Sequence, residues 1–140
     1  MMAVARQKPQ PANRRSRRAA GDGKGRRSNG PRPPAGATLV EALRRIVRDN
    51  DAEATETRGL MMGEGGWMFH RGGEFAYAVT VGKTRVTLHV MPMYCNPLIH
   101  AVYSKRIRDG KFGKGCIRFK LDAAPELSSI AALIRDCAKL

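Results

Sequence analysis

The stretch WMFHRGGEFAYAVTVGKTRVTLHVM, residues 67–91, decides the fold. β-branched and aromatic residues dominate it, and two glycine-marked breaks divide it. Gly72-Gly73 separates WMFHR from EFAYAVTV, a hairpin signal because glycine takes positive φ without strain. Gly82-Lys83 then separates the second run from TRVTLHVM. In the second run Phe75, Tyr77, Val79 and Val81 alternate with smaller residues. In the third, Val86, Leu88 and Val90 share one face while Arg85, Thr87, His89 and Met91 share the other. Three strands joined by tight turns predict an antiparallel meander.

On the N-terminal side, residues 51–66 are polar and glycine-rich and read as a flexible loop. Before them, Leu39, Leu43, Ile46 and Val47 recur at helical spacing up to about Asn50. Thr38 is the expected N-cap of that helix, with Glu41 closing a capping box. On the C-terminal side, Pro92 and Pro97 bracket an irregular turn, and residues 98–107 suit a helix. CIRFK, residues 116–120, forms a fourth strand with Cys116, Arg118 and Lys120 on one face and Ile117 and Phe119 on the other. Leu127, Ile130, Leu133 and Ile134 stripe a last helix. The expected fold class is α+β: an antiparallel sheet, a three-stranded meander plus a fourth strand, packed with N-terminal, central and C-terminal helices.

Residues 1–37 differ from everything after them. They hold ten Lys/Arg against a single acid, Asp22, and so carry +9 of the +14 formal charge. With almost no large apolar side chain after Val4, the segment has too little surface to bury to offset the entropy of ordering. It reads as a disordered basic arm closed by the stiff PRPPAG linker, with the domain occupying 38–140. Six arginines, Arg14, Arg15, Arg17, Arg18, Arg26 and Arg27, are its candidate nucleic-acid contacts. Phosphate neutralisation of this kind gives salt-dependent affinity without sequence preference.

Three cysteines without any C-x-x-C spacing predict neither a disulfide framework nor a zinc site. No apolar run approaches membrane-span length, and the arginines precede no apolar signal core. A cytoplasmic protein without a membrane partner is expected.

VTLHVMPMY at 86–94, GKGCIRFKL at 113–121 and the terminal LIRDCAK at 133–139 together resemble the YdhG-like family of small bacterial proteins, a domain family of unknown function. The resemblance covers about residues 38–140 and implies an α+β domain with an antiparallel sheet. Some members are described as frataxin-like iron chaperones, which implies a metal-carrying alternative. Hard cations take oxygen ligands, and the densest acids here are Asp49, Asp51, Glu53 and Glu56.

The candidate chemistry lies on the polar face of the third strand and in KRIRDGKFGKGCIRFK, residues 105–120. Glycine-rich backbone beside cations suits an anion. Arg85, His89, Lys111, Lys114, Arg118 and Lys120 are therefore the candidate ligand- or anion-binding residues. No catalytic residue, cofactor or metal site is assigned. A cysteine nucleophile activated by His89, using Cys95 or Cys116, stands as the enzymatic alternative. The leading expectation is a non-catalytic binding module for an anionic or small-molecule partner, with the arm adding non-specific nucleic-acid affinity.

Overall fold

The computed structural model describes residues 35–140; the first 34 residues of the arm, with its six arginines, lie outside them, and its last residues, Gly36 and Ala37, begin the first helix. The order is α1 (Ala37–Asn50), β1 (Thr55–Met61), β2 (Glu64–Arg71), β3 (Glu74–Val81), β4 (Arg85–Val90), α2 (Met91–Tyr94), α3 (Pro97–Arg106), β5 (Lys111–Phe112), β6 (Cys116–Lys120) and α4 (Leu127–Ala138). The strands form one antiparallel sheet in the order β1-β2-β3-β4-β6-β5. The α+β class is as expected, but the sheet has six strands rather than four.

The two additional strands have identifiable causes. β1 occupies much of the segment that reads as a flexible loop and pairs with β2 along its whole length. The Met62-Gly63 turn joining them has positive φ at both residues, 53° and 84°, a geometry that matches strand twist in a tight hairpin. β5 is only two residues long and is held by β6. The Gly72-Gly73 hairpin is present as expected, with φ of 58° and 84°.

Helix α1 also begins differently. Its N-cap is Gly36, at φ 86°, and no side chain caps it. A Cβ on Gly36 would press on Leu121 and Val86, so the chain enters the helix one residue before Thr38. The expected capping box does not form, and Glu41 pairs instead with Arg44 and Arg48.

Strand alternation places Val86, Leu88 and Val90 of β4 on a first face with Tyr77, Val79, Ile117 and Phe119. All seven are essentially sealed from solvent, in one cluster with Leu43 and Val47 of α1 and Ile130, Leu133 and Ile134 of α4. Each such side chain contributes about 1.5–3 kcal/mol through burial. At the β1 edge the cover is cationic rather than aliphatic. Arg44 of α1 and Arg58 of β1 stand 4.3 and 4.8 Å from the Trp67 ring centre. Burial alone would raise the Glu56 carboxyl, but hydrogen bonds and charge from Arg44 and Arg48 outweigh it and hold it below its ordinary value.

A buried polar knot ties the ends of this layer together. Asp51, just after α1, is 2% exposed and accepts a 2.7 Å hydrogen bond from the Tyr77 hydroxyl and one from the Glu53 amide. Arg71 Nε lies 3.1 Å from the same carboxylate, off the line of a hydrogen bond, so that contact is an ion pair. Another nitrogen of the Arg71 guanidinium donates to the Ala138 carbonyl at the end of α4. Burial first, then the Asp51 bond and charge, push the Tyr77 hydroxyl far above its ordinary pKa. Tyr77→Phe should therefore cost about 1–3 kcal/mol, because it removes a donor from a buried carboxylate; the shift of the urea-unfolding midpoint measures it.

Candidate functional site

The second face of the sheet is built from unusually small residues. Gly66, Ala78, Thr80 and Thr87 occupy neighbouring positions across β2, β3 and β4, and all are buried. Gly66 is required there, since any Cβ would collide with the Val79 carbonyl and the Thr80 backbone. On this face Thr87, with longer residues around it, lines a hollow of about 350 Å³. Met61, Met62, Phe75, Met91 and Tyr94 supply apolar walls, while Glu64, His89, Arg85 and Arg118 supply polar groups.

Phe75 reaches this face because of a bulge. Tyr77 pairs with Phe69, yet Phe75 pairs with His70, which leaves Ala76 as an extra residue in β3. The alternation that would keep Phe75 beside Tyr77 is broken, and its ring meets His70 edge-on with centroids 6.0 Å apart. Gly115 makes room at the opposite rim, where a Cβ would press on Tyr94.

A hydrogen-bond chain crosses the floor. Thr80 Oγ1 lies 3.3 Å from Glu64 Oε1 and 3.1 Å from His89 Nε2. A carboxylate only accepts, so the Thr80 proton goes to Glu64 and the hydroxyl oxygen accepts from Nε2–H. That assigns the tautomer and leaves Nδ1 with its lone pair. Glu64 itself fits because Gly82 has no side chain, a Cβ there overlapping the carboxylate. Desolvation lowers the His89 pKa from the usual 6.5; Glu64 pulls it up and Arg118 pushes it further down, with a net fall. At neutral pH the ring is uncharged.

Beside this hollow runs a broader groove of about 690 Å³ that shares Arg85 and Arg118 with it. Arg108, Lys111 and Lys120 line the groove, opposed by one acid, Asp109. The register explains the grouping: Arg85 pairs with Lys120, Thr87 with Arg118, and Arg118 with Lys111. Five of the six residues read from the sequence, Arg85, His89, Lys111, Arg118 and Lys120, thus line these two adjoining depressions. The sixth, Lys114, lines neither; its ammonium sits 5.8 Å from the centre of the Tyr94 ring. Glu64, Met61 and Met62 escape a sequence reading because the hairpin carrying them has the composition of a loop.

The cysteines are dispersed. Cys95 is exposed and lines a neighbouring depression with Glu53 and Arg71, outside the hollow that His89 lines, and no hydrogen bond joins it to His89. Cys116 is directly opposite His89 in the β4–β6 register, but no hydrogen bond joins them and the imidazole Nε2 is held by Thr80 on the other side. Burial pushes the Cys137 thiol up to about 12. His100 Nε2 donates to the Gly113 carbonyl at 2.9 Å and fastens the β5–β6 turn to α3. Among the described residues, no three His, Cys, Asp or Glu side chains come together as a metal-ligand set. Of the acids at 49–56, Asp51 is buried against Tyr77 and Arg71, and Glu56 is held by two arginines.

A lowered folded-state pKa means that the unfolded chain binds the His89 proton first as pH falls. The His89 contribution to stability is therefore complete above pH 6.5 and declines as pH drops below it toward the folded value. In urea unfolding at successive pH values, His89→Gln should lose less stability than the parent over that acidic interval. Parallel profiles would contradict the assignment.

No family model, curated protein or solved structure matches the chain.

Proposed function

We propose that this chain is a non-catalytic, cytoplasmic binding module of the YdhG-like type that holds an anionic small molecule on the second face of its sheet. The observation that carries this reading is the convergence of Arg85, Arg108, Lys111, Arg118 and Lys120 on one groove with a single opposing carboxylate. Cations brought together in one groove repel one another, and an anion relieves that repulsion while accepting charge-assisted hydrogen bonds. The basic arm, rich in arginine and poor in acid, adds salt-sensitive affinity for nucleic acid.

The alternatives have less support. An iron carrier needs convergent oxygen ligands, and two of the four acids at 49–56, Asp51 and Glu56, are tied to Tyr77 and to arginines. A cysteine–histidine enzyme needs a thiol within reach of a free ring nitrogen, which neither Cys95 nor Cys116 offers in hydrogen-bonded form.

Calorimetric titration of the full chain with pyrophosphate tests the groove. Arg118→Ser should weaken binding roughly ten- to a hundredfold, the value of a charge-assisted hydrogen bond. Unchanged affinity removes the groove from the reading. The arm is tested separately by replacing its six arginines, Arg14 to Arg27, with serine. Binding to single-stranded DNA should then show a log K against log [salt] slope shallower by up to about 4, at roughly 0.7 for each phosphate no longer neutralised. An unaltered slope would assign the arm no part in nucleic-acid binding.

A further inference from the structure

Resting on the anion-binding reading, we infer that the hollow and the groove together form one site for a nucleoside phosphate whose base carries an exocyclic amine. The two depressions share Arg85 and Arg118, so a single extended ligand can occupy both. Their chemistry differs sharply. The hollow has apolar walls, including the Tyr94 and Phe75 rings, and its carboxylate, Glu64, is an acceptor held in place by Thr80. The groove is a cluster of five cations facing Asp109.

Charge decides among ligand classes. A carboxylate or a zwitterionic amino acid brings one negative charge against those five cations, whereas a phosphate monoester brings about two and a diphosphate more. Polyamines suit Glu64 but are repelled by Arg85 and Arg118. A planar, weakly polar ring matches walls of thioether and aromatic side chains, since bases stack on any π-face. Glu64 selects the edge of that ring. A carboxylate accepts from an amine such as cytosine N4 and is repelled by a carbonyl oxygen in the same place.

The test is calorimetric titration of the full chain with CMP, UMP and inorganic phosphate, repeated on Glu64→Gln. CMP should bind about tenfold more tightly than UMP, the discrimination expected of one well-placed carboxylate–amine contact. Glu64→Gln presents either an amide oxygen or an amide N–H, so the preference should collapse while phosphate affinity is retained, which also shows that the variant is folded. Equal binding of CMP and UMP, or a preference that survives Glu64→Gln, overturns the inference. Inorganic phosphate binding as tightly as CMP overturns it too but leaves the anion-binding module standing. Absence of binding to CMP, phosphate and pyrophosphate alike overturns both.

Discussion

Strand β4 admits only one register, and the rest of the domain follows from that. Its odd positions, Arg85, Thr87 and His89, and its even ones, Val86, Leu88 and Val90, have opposite requirements. A slip of one residue would drive a guanidinium and an imidazole under α1 and α4 while presenting three aliphatic side chains to the second face. Because β3 and β6 pair with β4 on either side, its register sets theirs. The apolar layer beneath the helices and the polar layer opposite are two outcomes of one alignment. The stable part of the molecule thereby positions the chemically active part.

Much of this is legible in the sequence because hydrophobic burial leaves a periodic trace. The β2–β3 hairpin turn, α1, β4, β6 and α4 are all readable from apolar period or glycine placement. β1 leaves no such trace. Its inward residues Glu56 and Arg58 meet α1 and Trp67 through ion pairs and cation–π contacts, so a strand that packs on one side reads as polar on both. The turn that follows has Met62 where Asn, Asp or Gly would announce it. The bulge at Ala76 and the Gly36 cap depend on contacts with distant residues, which no local window contains.

The site divides the same way. Its cations are visible as a basic stretch, since charge is conspicuous in sequence and strand alternation puts Arg118 and Lys120 on one face. Its hydrogen-bonded chain of Glu64, Thr80 and His89 is not visible. Glu64 acquires meaning only through Gly82, which leaves room for its carboxylate, and Thr80, which links it to His89. The signal available in the sequence is negative: a run of Gly66, Ala78, Thr80 and Thr87 where a sheet facing water would carry longer side chains. Small residues at the middle of a sheet face mark a depression, and what surrounds a depression is where ligand-facing groups collect.

The union of α1 with α4 also has a kinetic side. These helices lie in contact although every strand of the sheet separates them in the chain. During synthesis the six strands emerge before the helix that completes their cover, and Arg71 and Asp51 wait for the α4 carbonyl that finishes their knot. Closure of so long a loop carries an entropic cost that pairing of neighbouring strands does not, so the α1–α4 contact is among the last to be made. In the interval, the aliphatic face of β4 and β6 is exposed, and transiently exposed apolar surface of this kind favours association over folding until α4 covers it.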